Sequence, residues 1–319
     1  MKFTSIPAHF SPICEGLTFE FDTESEACDV VVEIFDTDEG SVIGEQRLFG
    51  VTNGKINIAP YVLHRVTATP TLHDYSTLEE APIGRYAVRI NGTTSPEVMV
   101  STNHQRVQQG AILSTMPQRR TLAYGDSDQI ALFTEPKRLI RVCAEADNGE
   151  SLSLTYHTSS GAVLITLSTC DFKEDVQDIK LYILDEENEV AMMSYEVVAH
   201  AANSKQLAWR SKVGTVEQYR FVARHIVTRR LDRVQYSTSQ GPTTSRCSSE
   251  QVVELVSNYE SRAMAEALSE IVASPKVWII DNRAASEVEI VTASAGADSS
   301  YAPDKVELEV RLWHREEVA

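Results

Sequence analysis

Gly125-Asp126-Ser127 is where this 319-residue chain comes nearest to catalytic chemistry, because a serine set behind a glycine turn can present its hydroxyl as an acyl-transfer nucleophile when a base reaches it. The motif that such serines open continues with leucine. Here Asp128 stands in that place, and no Asp-x-x-His follows to supply the base. Asp-Ser-Asp is also ordinary turn chemistry, so no catalytic residue is expected there. Asp36-Thr37-Asp38-Glu39-Gly40 alternates acidic oxygens as a calcium loop does, but its glycine comes one residue early and Arg47 occupies the position of the bidentate glutamate. A hairpin turn is the expectation. The eight histidines are dispersed, with no pair at the spacing of a helical metal site, and the five cysteines are scattered and never in a C-x-x-C. With no glycine-rich phosphate loop and no dinucleotide fingerprint either, the expectation is a non-enzymatic chain with no cofactor and no metal.

Charge is the one chemical property that gathers. Between Lys205 and Arg233 there are eight basic residues against two acidic ones, so this segment carries +6 and the remainder −23 of the net −17. Such asymmetry fits a nucleic-acid patch, a docking surface for an acidic neighbour, or the outer face of strands. Trp209, Tyr219 and Phe221 sit at strand spacing, which favours strands over a base-stacking platform. Arg220, Arg224, Arg229, Arg230 and Arg233 are the candidate interface. An acidic pI near 4.9 argues against a protein that grips phosphate backbones over its whole surface. The N-terminus lacks the apolar run of a signal peptide, no stretch is apolar enough to cross a bilayer, and the cysteine pattern suits a reduced compartment. Synthesis and folding in the cytosol are expected.

The elements that must position these residues are mostly strands. Leu17, Phe19 and Phe21 alternate with polar residues, and further strands are predicted at Asp29–Phe35, Arg85–Ile90 and Glu97–Val100. Turns are expected at Asp38-Glu39-Gly40, Asn53-Gly54 and Asn91-Gly92. The same pattern returns in strands at Ile130–Phe133, Leu139–Ala144, Leu152–Tyr156, Val163–Leu167, Ile179–Leu184 and Val190–Val198, with a charged tip at Asp185-Glu186-Glu187-Asn188. Regular short strands of this kind predict a β-sandwich over 1–102 and a second over 103–202. The last part, 203–319, reads as an α+β module. Ser257 is expected to cap a helix through Glu260, with Met264, Ala267, Leu268, Ile271 and Val272 on its apolar face and Pro275 ending it. Strands should follow at Val277–Ile280, Glu287–Ile290 and Val306–Trp313, while Gln240–Glu250 reads as an exposed polar loop. The fold class is therefore mainly β, in serial sandwich modules with one main amphipathic helix near the C-terminus.

Leu207-Ala208-Trp209-Arg210 followed by Gly214-Thr215-Val216-Glu217-Gln218-Tyr219-Arg220-Phe221, then Leu268 to Trp278 and the closing Glu309-Val310-Arg311-Leu312-Trp313, resembles a recurring passage in structural proteins of tailed bacteriophages and prophages of Bacteroidetes. The resemblance covers about the last 110 residues, and the first two thirds match only in type. It implies a tail, baseplate or connector component of a virion, assembled in the host cytoplasm with other tail proteins. Charge and hydropathy are compatible with that: they lead to the expectation of a homo-oligomeric ring with no membrane and no sequence-specific nucleic acid, whose acidic surface beside a DNA channel would let DNA slide. The alternative is a sandwich that recognises a host receptor or glycan through exposed aromatics such as Tyr75 or Tyr301.

Overall fold

The computed structural model describes the chain apart from 25, 107–109, 202, 222–223, 282, 293–304 and 319, and describes no side chains at 224–234, 243–250 and 313–318. The fold is mainly β. In chain order the first part supplies β1 (Lys2–Ser5), β2 (Thr18–Asp22), β3 (Cys28–Asp36), β4 (Ser41–Val51), β5 (Asn53–Asn57), the single turn α1 (Ala59–Val62), β6 (Thr77–Glu80), β7 (Gly84–Ile90), β8 (Thr93–Thr94) and β9 (Val98–Val100). The middle adds β10 (Ala111–Leu113), β11 (Arg119–Ala123), β12 (Ser127–Phe133), β13 (Leu139–Ala146), β14 (Ser151–His157), β15 (Ala162–Ser168), β16 (Asp178–Asp185) and β17 (Asn188–Val198). The last part holds β18 (Lys205–Arg210), β19 (Val216–Phe221), β20 (Arg224–Thr238), β21 (Gly241–Val256), α2 (Arg262–Ser269), β22 (Val277–Asp281), β23 (Ala284–Ile290) and β24 (Glu307–Val318).

Two sandwiches come first. Sheet β1-β2-β5 faces sheet β4-β3-β7-β8, which β9 extends at β7, and the alternating residues Phe19, Phe21, Val30, Val32, Ile34 and Val88 fill the space between them. Sheet β10-β12-β15-β6 faces sheet β11-β17-β16-β13-β14 around Ile130, Leu132, Ile165, Leu181 and Tyr195. β12 and β15 are buried almost throughout because both of their faces are covered. Their second face packs Ala131, Phe133 and Leu164 against Phe10 and Met99 of the first part, with the Phe10 and Phe133 rings stacked at 4.1 Å. The Asp36–Gly40 stretch is the expected hairpin turn, with Asp36 Oδ1 accepting from the Asp38 and Glu39 amides at 3.1 Å. Asn53-Gly54 is not a turn. Gly54 lies inside β5 opposite Phe21, and a Cβ there would come within 2.5 Å of the Phe21 ring, so the glycine makes room for an aromatic side chain.

The last part is one seven-stranded sheet, β19-β18-β22-β23-β24-β21-β20, closed on one face by α2. Met264, Ala267, Leu268 and Ile271 bury the predicted stripe against Trp209, Phe221, Leu255 and Val310. The cap differs from expectation. Ser261, not Ser257, accepts from the Met264 amide at 3.3 Å, while Ser257 pairs with Val306 and Glu260 accepts from the Tyr219 hydroxyl at 2.6 Å. Ser257 and Glu260 are thus drawn off by the sheet, and the helix begins one turn later. Gln240–Glu250 is also not a loop: it forms the first half of β21, because serine and threonine are as suited to an exposed ladder as to a turn. The sheet must curl. Phe221 ends β19 at one edge and Arg224 begins β20 at the other, and three peptide steps reach no more than about 11 Å, so the two edges converge at that corner.

The three parts are tied rather than strung. After α1 the chain leaves the first sandwich, sets Ala68 against Ala208 and Trp278 on the outer face of the seven-stranded sheet, and enters the second sandwich as β6, an edge strand on β15. Residues 101–104, expected as a boundary, are clamped: Thr102 Oγ1 donates to the Gly214 carbonyl at 2.5 Å, the His104 amide donates to Lys212 at 2.8 Å, and Asn103 Nδ2 reaches the Phe10 carbonyl at 2.9 Å. Gly214 has φ 86°, and a Cβ on it would lie 2.4 Å from the Asn103 backbone nitrogen. Gly214→Ala is expected to lower stability by about 2 kcal/mol or more, through a strained turn and a displaced joint, measured as a shift in urea midpoint. Glu80 at the end of β6 accepts from the Ser160 amide at 2.6 Å, Ser159 Oγ at 3.0 Å and Tyr156 Oη at 3.1 Å. Burial alone would raise its pKa, but the hydrogen bonds from Ser160 and Ser159 outweigh burial and hold it below the usual carboxylate range. A depressed carboxylate contributes stability that is fully present above its unfolded pKa and is lost as pH falls through the folded value. The melting-temperature advantage of wild type over Glu80→Gln should therefore be steady near neutrality and shrink below about pH 4.3, in melts run at stepped pH.

Candidate functional site

Of the five candidate arginines, Arg220 is placed inside the molecule. It projects from β19 onto Asp126, which the tight Gly125 turn between β11 and β12 presents to it. Arg220 Nε donates to Asp126 Oδ2 at 2.5 Å, Nη2 donates to Oδ1, and Nη1 donates to Ser204 Oγ at 2.9 Å. The two side chains are 12% and 4% exposed, so this pair joins the second sandwich to the curled sheet and is withdrawn from solvent. A cleft of about 320 Å³ opens beside it, lined by His73, Ser127 and His200 among others. Its charges are matched in place: Lys205 with Asp281 at 2.6 Å, Arg283 with Asp74 at 2.9 Å, and Arg220 with Asp126. Ser127 Oγ has no hydrogen-bond partner among the described residues.

Arg224, Arg229, Arg230 and Arg233 have side chains outside the described residues, but the backbone places them on β20. In register, Arg230 faces Glu250, Arg229 faces Gln251 and Arg233 faces Cys247 on β21. β20 is the last strand of its sheet, and among the described residues no strand pairs with its outer side. Basic residues in an edge strand are a common device against indiscriminate strand addition.

The β20–β21 hairpin itself passes beyond the sheet. With 15 and 16 residues it is about 50 Å long. β24 pairs with β21 only over Cys247–Val256, which leaves Val234 to Arg246 as a two-stranded ribbon. Gln235, Tyr236, Ser237, Thr238, Ser239 and Gln240 are all exposed, Tyr236 at 54%, and no charged residue occurs from Gln235 to Ser245. The reading of this stretch as a loop missed the ribbon. Thr/Ser runs on both sides of Gln240-Gly241, with Tyr236 and Val234 upstream, were the available signal. A second long edge, β4, also carries exposed apolar side chains, Val42 at 47% and Phe49 at 73%.

No family model matches this chain, and no curated protein is detectably similar to it. Its surfaces therefore have to be read from their own chemistry. Among the described residues no three metal-binding side chains come together, and no helix is long and apolar enough to cross a membrane. For Arg220 the geometry has a direct consequence. Arg220→Ala would strand the Asp126 carboxylate, so a loss of about 3 kcal/mol in chemical denaturation is expected, nearly independent of salt, whereas Arg229→Ala on the edge strand should change stability by less than about 1 kcal/mol.

Proposed function

We propose that this protein is a non-enzymatic structural component of a virion, in a tail, baseplate or connector, built to assemble with copies of itself and with neighbouring tail proteins. The observation that carries the reading is the ribbon from Val234 to Arg246, which outruns the sheet that supports it. An isolated two-stranded hairpin is marginally stable in water, so an arm of this length is best accounted for by a neighbour that receives it. Its uncharged tip offers backbone and hydroxyl hydrogen bonds with one aromatic anchor, chemistry suited to lying along another subunit rather than to enzymatic turnover. The basic positions behind the tip lie on an open edge in a chain that is otherwise strongly acidic, so acidic surface on a second copy is a complementary partner for them. Such contacts set register and association rate. An acidic subunit lining a channel would let DNA slide rather than hold it.

A second reading, recognition of a glycan or receptor, is favoured by one observation. Tyr75 is 51% exposed and stacked on His73 at 5.0 Å beside the polar cleft, as sugar-binding platforms often are. Tyr301 lies outside the described residues. Sedimentation and negative-stain imaging separate the two. Assembly is expected to give closed rings, to be lost when Tyr236–Pro242 is replaced by a short Asn-Gly turn, and to weaken as salt rises or when Arg229→Glu is combined with Arg230→Glu, with melting of the monomer unchanged. A monomer at all concentrations that binds a glycan array through Tyr75 would replace this reading with the second.

A further inference from the structure

A cavity of about 620 Å³ lies where the first part of the chain meets the curled sheet, walled by Leu63, Ala273 and Pro275 and reached by Arg210, Lys212 and His104. Its size is that of a small-molecule site. Lys212 Nζ is paired with Glu270 Oε1, so those two charges cancel. Arg210 has no such partner. The residue is 9% exposed, no described acidic group or carbonyl accepts from its guanidinium, and its Nε is enclosed with nothing to donate to. Only its backbone is engaged, accepting from Ser274 Oγ at 2.8 Å and donating to the Lys276 carbonyl at 3.0 Å. Burial pushes the Arg210 pKa down, and burial together with the Arg210 charge pushes that of His104 down, both signs of a cation held away from water without an anion. A buried, uncompensated guanidinium is costly, and an anion brought to it would offset that cost. The nearest ionised pair is neutral in sum, which leaves the cavity with one net positive charge and mostly apolar walls.

We infer that this cavity binds a small organic carboxylate with an apolar body, its carboxylate on Arg210 and its hydrocarbon part against Leu63, Ala273 and Pro275. The inference does not depend on how the protein assembles. Thermal melting of the full chain with hexanoate, benzoate, hexanol or inorganic phosphate tests it. Hexanoate or benzoate should raise the melting temperature with concentration, while hexanol, which has the body without the charge, and phosphate, which has the charge without the body, should not. Arg210→Met should abolish the response and leave the melting temperature of the unliganded protein equal or higher, because an unpaired buried charge is removed. If Arg210→Met fails to fold, Ala273→Phe, which fills the cavity and leaves Arg210 in place, should abolish the response. No response to either carboxylate, an equal response to phosphate, or a response that survives in Arg210→Met or Ala273→Phe would each overturn the assignment.

Discussion

A carboxylate sealed away from water must be met by donors from every side, and Glu217 on β19 is 1% exposed. Its donors all come from the segment between β10 and β11: Ser114 Oγ at 2.8 Å, the Thr115 amide at 2.5 Å and Thr115 Oγ1 at 2.6 Å. Ser114 also accepts from Arg120 at 2.5 Å, Arg120 donates to Asp128 Oδ2 at 2.6 Å, and Tyr195 donates to the same oxygen at 2.9 Å. One chain of polar contacts thus runs from the curled sheet into the centre of the second sandwich. Burial alone would lower the Arg120 pKa, but Asp128, Tyr195 and Glu217 around it raise it, so the guanidinium stays charged within the network, in which Asp128 Oδ2 is met twice and Asp128 Oδ1 is buried without a partner. Had the sheet docked elsewhere, Glu217 would lose the Ser114 and Thr115 donors that meet its carboxylate. Hydrophobic contact brings the parts together, and this network restricts them to one arrangement.

The same constraint explains the segregated charge. Lys205, Arg210, Lys212 and Arg220 are the basic residues of the segment with described side chains, and three of them find acid within the chain, at Asp281, Glu270 and Asp126. These partners come from other parts of the sequence, so a running tally of charge shows an excess where, among the described side chains, three of four basic residues are paired. Arg210 is the exception, and it is set apart by burial rather than by sequence context.

Strand alternation and one helical stripe made the sandwiches, the helix and most strand positions legible, because a buried face imposes a period that the sequence has to carry. What could not be read lies where two local preferences were equal and a distant contact decided between them. Ser257 and Ser261 can both cap a helix, and Val306 claims the first. Asn53-Gly54 is a good turn, but Phe21 needs the space above Gly54. Serine and threonine suit a loop or a ladder, and β20 pairs with this stretch from Gly241 to Glu250, with one bulge. The basic residues of the candidate site were visible as a group, yet which of them were taken up internally depended on Asp126, a residue 94 positions away.

The excursion of β6 has a bearing on how the protein is made. Leu78 pairs with Ile165, and Thr77 with Thr166, so this strand leaves the ribosome well before its partner exists. The first sandwich can close around β7 and β9 while the 63–80 segment is still looped out, and the loop must stay unattached until β15 has been translated. The second sandwich therefore cannot be completed from its own stretch of chain alone, since one of its edge strands is drawn from sequence that precedes β7 and β9 of the first.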